Sequence, residues 1–334
     1  MEIEGIRRSR GVLSAKDVKE RLTRWKGNPI LSPSGNSWEN MQTFNPGAVL
    51  LDGQVHILYR AIGEDWVSRI GYASSKDGFN INERLPYPVY EHRWPSPFSS
   101  ANVDEEYFSG GGAFGVEDPR LVKMKGENRV YMTYTFYDGR SIGIMLTAIS
   151  VDDLLEKRWD WKNPILLSPP DQPHKNWVLF PEKIEGKYVI LHTLNPDIGI
   201  SYLDSFDELG PIQSYYRPVP RDTWDRFVRG AAAPPIRTDL GWLLLYHATG
   251  EDGYYKVGAM ILDIDDPTKM LYRSRTPLLG PKEHYEFSGF KPGVTYVTGA
   301  VVKDSTLLLY YGAADTYVCV AYTNLDELLD YLTK

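Results

Sequence analysis

An all-β fold of five repeated units, a five-bladed β-propeller, is what this 334-residue sequence predicts. Three observations carry the prediction. A buried-looking strand, a short polar turn and a second apolar strand recur five times: Val49–Arg60 (VLLDGQVHILYR), Leu121–Thr135 (LVKMKGENRVYMTYT), Phe180–Thr193 (FPEKIEGKYVILHT), Pro235–His247 (PIRTDLGWLLLYH) and Val301–Tyr311 (VVKDSTLLLYY). A third strand follows: Arg69–Ser75, Ile142–Ile149, Ile198–Leu203, Val257–Leu262 and Tyr317–Tyr322. No Pro/Ser-rich linker or low-complexity stretch divides the chain, so residues 1–334 read as one catalytic domain.

Radial repetition brings equivalent loops together at one end of a central funnel. The residues closing the second strand of each copy, Arg60, Thr135, Thr193, His247 and Tyr311, are therefore expected near one another. The plain alternative is five unrelated meanders with ordinary hairpins.

The elements follow in order. Residues 1–27 read as an N-terminal helical extension, with Ser14 able to cap a helix over Ser14–Trp25 and Val18, Leu22 and Trp25 on one face. This short helix is expected on the outside of the propeller. Asn28–Pro33 leads into the first blade. The long loop Pro86–Gly115 contains SGGGAFG at Ser109–Gly115. Long loops in compact domains tend to be functional. The glycine run lacks the lysine and helix of a phosphate-binding loop, so its expected role is flexibility. A second loop, Tyr202–Gly230, separates the third and fourth copies, and Asp326–Leu332 (DELLDYL) reads as a short closing helix.

Composition narrows the function classes. A formal charge of −7 and a pI near 5.5 argue against nucleic acid or an anionic membrane as partner, so an anion would need a local basic pocket. The 13 % aromatic content suits sheet packing and equally suits the apolar faces of sugar rings. Cys319 has no partner for an internal disulfide, and the six histidines lack metal-ligand spacing, so neither metal nor cofactor is expected. The N-terminus has no apolar signal core and no run is long enough to span a bilayer, which predicts a soluble cytoplasmic protein. Homo-oligomerisation is left open.

The leading chemical candidate is Asp118 in GVEDPR (Gly115–Arg120), at the start of the second copy. Pro119 is expected to hold Asp118 extended, and Glu117 and Arg120 supply charges that set its pKa. A Glu-Asp-Pro turn is also an ordinary structural device. Lys183, inside an apolar strand, needs a partner, and with His247, Arg140 and Arg229 it forms a candidate oxyanion or phosphate site. Separate surface charges are the alternative. Asn45, Arg60, Arg69 and Asp315 form a polar group suited to sugar hydroxyls, although Asp315 could equally cap a turn.

Taken together, FNPGAV (Phe44–Val49), GVEDPR, VLFPEKIEGKY (Val178–Tyr188), VRGAAAPPI (Val228–Ile236), LLLYHA (Leu243–Ala248) and YYGAADTYVCVA (Tyr310–Ala321) resemble glycoside hydrolase family 130, from about Asn28 to the C-terminus. The resemblance implies a five-bladed propeller and an inverting phosphorolysis of a β-manno-oligosaccharide or mannosyl-hexose. Phosphate is the co-substrate, and α-mannose 1-phosphate and a shortened acceptor are released. It makes Asp118 the single catalytic acid, acting through the sugar 3-hydroxyl. It makes Lys183 and His247 phosphate contacts, with Arg140 and Arg229 beside them, and puts Asn45, Arg60, Arg69 and Asp315 around the mannosyl ring. One departure is Lys175, where several phosphorylases carry Arg; lysine offers a point charge rather than a bidentate fork. The competing functions are a β-mannosidase using water on the same fold, a furanosidase needing more inward carboxylates, and a non-catalytic sugar-binding propeller.

Overall fold

Antiparallel strands dominate the computed structural model, which describes residues 21–103, 110–206, 210–214 and 219–334. Strand β1 (Thr23–Arg24) opens the described chain. A first meander follows with β2 (Gln42–Leu51), β3 (Gln54–Ile62), β4 (Val67–Ser75) and the outer β5 (Glu83–Arg84). The second has β6 (Phe114–Lys123), β7 (Arg129–Tyr137), β8 (Ile142–Ser150) and β9 (Ile165–Leu166), with helix α1 (Val151–Leu155) after β8. The third is short: β10 (Val178–Leu179), β11 (Tyr188–Thr193) and β12 (Gly199–Leu203). The fourth has β13 (Phe227–Ala231), β14 (Ile236–Thr238), β15 (Gly241–Thr249), β16 (Tyr255–Leu262) and β17 (Met270–Arg273). The fifth has β18 (Thr295–Lys303), β19 (Thr306–Ala313) and β20 (Tyr317–Asn324), closed by α2 (Leu325–Thr333).

Each sequence copy thus becomes one antiparallel meander, as its alternating pattern requires. Tight turns make the hairpins: Asp52–Gly53, Glu185–Gly186 and Asp304–Ser305 all have positive φ, the backbone that matches strand twist. The first and second meanders join through a short parallel pairing, Val67↔Phe114 and Ser68↔Gly115.

The inner strands β18, β2 and β6 pack side by side, and glycine allows it. A Cβ on Gly47 would lie 2.6 Å from the Pro119 carbonyl oxygen, and one on Gly299 would lie 2.6 Å from the Pro46 carbonyl oxygen. No side chain fits between these backbones.

A recurring device ties the middle strands to the outer ones. Tyr59 on β3 donates to the buried Glu39 at 2.7 Å, and Arg84 on β5 binds both the same carboxylate (2.7 Å) and the tyrosine oxygen (3.1 Å). Tyr246 on β15 donates to Asp225 at 2.8 Å, and Arg273 on β17 binds both. Tyr311 on β19 donates to Glu286 at 2.9 Å, and Arg24 on β1 binds Glu286 at 2.8 Å. Tyr59 and Tyr246 each lie across a glycine on the next strand, Gly71 and Gly258, where a Cβ would come within 2.4 and 2.5 Å of the ring.

The N-terminal helix expectation is corrected where it can be read. Ser14 and Val18 lie outside the described residues, but Thr23–Arg24 is a strand paired with Tyr322 and Ala321 of β20. The open edge of β20 and the Arg24–Glu286 ion pair outweigh helical spacing there. Leu22 packs with Leu328, Leu329 and Leu332 of α2. The closing helix is present, capped by Asn324, whose side chain accepts from the Glu327 amide at 3.1 Å. Helix α1 was not anticipated; Ser150 caps it. Among the described residues no helix is long and apolar enough to cross a membrane.

Asp225→Ala strands the buried Tyr246 hydroxyl and the partly buried Arg273 guanidinium, and should destabilise the protein by roughly 2–4 kcal/mol. Urea denaturation of both proteins measures it; a change under ~1 kcal/mol would mean the triad does not hold the fourth meander.

Candidate active site

Strand register slips where the inner strands meet, and the chemistry sits at the slips. Pairing of β2 with β3 skips between Phe44 and Gly47, and pairing of β6 with β7 skips between Glu117 and Arg120. Each bulge is an acid or amide followed by proline, Asn45–Pro46 and Asp118–Pro119. The fourth and fifth meanders slip at Arg229 and Thr298. Bulges re-aim side chains out of the pleat. Asn45 (φ 44°) and Asp118 (φ 51°) are left-handed, as is Asp315 (φ 48°) in the turn between β19 and β20. The expectation of an extended Asp118 is therefore overturned: Asn and Asp tolerate this conformation better than other residues with a Cβ, and the bulge imposes it.

These residues open into a cavity of about 750 Å³. Asp118 accepts from Asn45 Nδ2 at 2.8 Å and from Arg60 Nη1 at 3.3 Å. Arg60 also pairs with Glu117 (3.2 Å) and donates to Ser68 Oγ (3.1 Å), and Lys175 pairs with Glu117 (3.0 Å). Arg60, Glu117 and Asp118 are all buried. Burial alone would raise the Asp118 pKa, but the charges of Arg60, Lys175 and Arg120 and the Asn45 hydrogen bond outweigh it, leaving this carboxyl below the usual carboxylate range. Burial pushes Asp315 the other way, up to about 6, against the pull of Lys291 and Arg60.

Behind Asp118, Arg120 donates to the Asp118 carbonyl (2.9 Å), the Ala232 carbonyl (2.9 Å) and Asn176 Oδ1 (2.8 Å). Asn176 also accepts from Tyr296 (2.6 Å) and donates to the Arg229 carbonyl (2.7 Å). One amide thus ties the second, fourth and fifth meanders together at the cavity wall. Arg229 and Lys291 flank the Tyr255 ring, 5.8 and 4.7 Å from its centre, and neither makes an ion pair among the described residues. On another side, Ala101, Val103, Ile142 and Pro173 are apolar beside Asp171. Asn102 holds that wall by donating to the Ile142 and Pro170 carbonyls at 3.0 Å.

The structure brings Asn45, Arg60, Asp118, Arg229 and Asp315 together in this cavity. Four expected residues are elsewhere. Lys183 lies at the turn before β11, over the Tyr188 ring and 3.6 Å from Glu127, because its strand ends earlier than its apolar neighbours suggest. Arg69 points to the opposite face of β4 from Ser68, as strand alternation demands, and pairs with Asp65 and Glu91. Arg140 is exposed; its carbonyl, not its guanidinium, anchors the Asn102 and Val103 amides. His247 is buried beneath the wall, stacked 3.8 Å from the Tyr296 ring. Burial, with Arg120 nearby, lowers its pKa to about 3, so it carries no charge at neutral pH. Of the five residues closing the second strands, only Arg60 lines the cavity.

The glycine run also differs from expectation. A Cβ on Gly110 would lie 2.6 Å from Arg60 Nη1, and one on Gly112 2.5 Å from Ser68 Oγ. These glycines let the chain close over Arg60, so they serve close packing rather than flexibility. Lys291, Tyr255, Tyr296, Asn176 and Asp171 were missed, since no motif marks them. Asn176 had one signal, its place beside Lys175 in HKNW. No group of three or more metal-ligating side chains occurs among the described residues.

An all-β frame with a cavity of about 750 Å³, in which the arginine-paired carboxyl of Asp118 meets a cationic wall, defines a carbohydrate-active protein. The chain belongs to glycoside hydrolase family 130, whose model, described as β-1,4-mannooligosaccharide phosphorylase, matches residues 12–334. A 1,2-β-oligomannan phosphorylase of Thermoanaerobacter sp. (strain X514) is 37 % identical, over 92 % of this chain and 99 % of the relative. A β-1,4-mannooligosaccharide phosphorylase of Ruminococcus albus is also 37 % identical, over 95 % and 92 %. The solved β-1,2-mannobiose phosphorylase of Listeria innocua, in complex with β-1,2-mannobiose, superposes with a TM-score of 0.72 at 25 % identity, covering 93 % of this chain and 99 % of that one.

The raised Asp315 pKa has a consequence for stability. Its folded pKa exceeds the unfolded value near 3.8, so stability is lost as pH rises from about 4 to about 6. Asp315→Asn should remove this slope and stabilise the protein at pH 7 by roughly 2–3 kcal/mol. Urea midpoints of both proteins between pH 4 and pH 8 measure it; parallel pH curves would place the Asp315 carboxyl in an ordinary environment.

Proposed function

We propose that this protein is an inverting phosphorylase that cleaves β-mannosides with inorganic phosphate, giving α-mannose 1-phosphate and a shortened acceptor. One observation carries the reading: a single paired acid, Asp118, shares its cavity with the cations Lys175, Arg229 and Lys291. An inverting hydrolase uses a second carboxylate to activate water. Phosphate is already a nucleophile and needs cations to hold it. The phosphorylase names of the relatives support the same reading.

In this reading Asp118 is the general acid, acting through the sugar 3-hydroxyl, and Asn45, Arg60 and Asp315 hold the mannosyl ring. Phosphate lies against Lys175, Arg229 and Lys291. His247 supports Tyr296 from below, and Lys183, Arg140 and Arg69 take no part. The proton balance closes with an ionised resting Asp118: hydrogen phosphate brings one proton, its oxygen bonds to the anomeric carbon, and the departing oxygen receives a proton by way of Asp118. In synthesis the ionised Asp118 is already the base that the acceptor hydroxyl requires. The five meanders are, in this proposal, the blades of one five-bladed propeller, supported by the side-by-side packing of β18, β2 and β6 at its centre.

Hydrolysis is the second reading, because Asp315 is a second buried carboxyl on the same cavity. Incubating β-mannobioses with and without phosphate separates the two. Mannose 1-phosphate formed only with phosphate supports phosphorolysis, and free mannose formed without it supports hydrolysis.

Asp118→Asn should lower kcat by ~10²–10⁴-fold while substrate binding, followed by calorimetry, persists. Activity within a few-fold of the parent would remove Asp118 from the acid role.

Arg229→Ala and Lys291→Ala should each raise the phosphate KM by about tenfold or more, the loss of one charge-assisted contact at ~1.5–3 kcal/mol. Lys183→Ala should leave it unchanged. Steady-state phosphate titrations decide; the opposite pattern would move the phosphate site to the Lys183 turn.

A further inference from the structure

On the Arg60–Asp315 side of the cavity, two large aromatic side chains stand in solvent. Trp66 is 38 % exposed and Phe290 53 % exposed, with ring centres 6.0 Å apart. Contiguous exposed aromatic surface marks a contact site more often than chance. Neither ring lines the cavity, but neighbours of Phe290 do. Phe290 precedes Lys291, which lines it. The Phe290 amide donates to Thr316 Oγ1 at 2.8 Å, one residue beyond Asp315. Gly111, next to the lining residue Gly110, runs so close that a Cβ there would come 2.8 Å from the Phe290 ring.

Trp66 is also held in a strained backbone. Its φ is 57°, a left-handed conformation that bulky residues rarely adopt. Its amide donates to the Gly63 carbonyl at 3.0 Å, and its own carbonyl accepts from the Ala113 amide at 2.8 Å. Glycine or asparagine would suit this turn better. An indole kept there at a conformational cost, exposed and beside a second ring, is the pattern of a contact surface.

We propose that Trp66 and Phe290 form an outer sugar subsite, where a pyranose ring of the substrate chain protruding from the cavity stacks on the aromatic pair, so that oligosaccharides are preferred over disaccharide. The proposal rests on the β-mannoside phosphorylase reading above. Its chemistry is neutral: the C–H face of a pyranose packs on aromatic faces, and the uncharged rings impose no charge requirement.

The test compares kcat/KM for β-mannobiose, β-mannotriose and β-mannotetraose at saturating phosphate, in β-1,2 and β-1,4 series. The wild-type protein should prefer the longer substrates by roughly 5–10-fold, the size of one aromatic stacking contact. Trp66→Gly and Phe290→Ala should bring that ratio to about 1, Trp66→Phe should keep most of it, and Trp66→Gly should melt no lower than the parent because the strain is relieved. A wild-type ratio near 1, or the same ratio in every variant, overturns the subsite. If no β-mannoside is cleaved at all, the phosphorylase reading fails, and fluorescence titration with mannotetraose still decides. Quenching present in the wild type and absent in Trp66→Gly upholds the platform; identical titrations overturn it.

Discussion

The buried guanidinium of Arg60 is the constraint on which the active region depends. An arginine taken out of water must find its full set of partners or destabilise the fold by several kcal/mol. Among the described residues Arg60 meets Glu117 and Asp118 on β6 and Ser68 on β4, with the glycines at 110 and 112 closing over it. Each partner dictates backbone. Asp118 reaches it only because β6 bulges into a left-handed residue, and that bulge carries the Pro119 carbonyl against β2, where only Gly47 leaves room. The pairing therefore sets the spacing of the two inner strands as well as the orientation of the acid.

Charge in the cavity is arranged around that pair. Arg60, Lys175, Arg229 and Lys291 line the cavity with Asp118, Asp171 and Asp315, and Arg120 and Glu117 stand behind them, so a protein with an acidic overall balance carries a pocket with a small excess of cations. The two buried carboxyls on the cavity respond oppositely. Asp118 touches Arg60 and Asn45 directly and stays ionised, whereas Asp315 is buried with no such contact to its carboxyl among the described residues and holds its proton more tightly. His247 shows the same desolvation acting on a base: stacked under Tyr296, it is neutral and supports the wall without adding to its charge.

Away from the cavity, the tyrosine–carboxylate–arginine unit recurs in the first, fourth and fifth meanders. In each, a hydroxyl on a middle strand and a guanidinium on the outermost strand share one buried carboxylate from outside the sheet. In the fifth meander the arginine arrives on β1, 262 residues away in the chain. That contact, the β1–β20 ladder and the packing of Leu22 on α2 join the start of the described chain to its end.

The repeat and the limits of most second and third strands were legible in the sequence, because alternating apolar residues and tight-turn residues are local signals; the first strands β2, β6 and β18 begin earlier than the repeat shows, at Gln42, Phe114 and Thr295, because their entries carry the bulges and polar residues of the cavity. Asp118, Asn45, Arg60 and Asp315 were legible as candidates because they sit in short polar motifs beside apolar runs, which the structure turns into bulges within β2 and β6, the end of β3 and the β19–β20 turn. Lys183 and Arg69 were misread for one physical reason: a strand's alternation shows that a side chain changes face, but not which face meets the cavity or where a short strand stops. The Tyr–acid–Arg units escaped notice because their members stand at unequal spacings in each copy. Thus the sequence by itself determined five antiparallel units and singled out Asp118 as the candidate acid, through periodicity and motif. Only the tertiary structure decided which cations stand beside that acid, since Lys175, Arg229 and Lys291 come from separate meanders and connecting segments, and long-range packing, not local pattern, brings their charges to one wall.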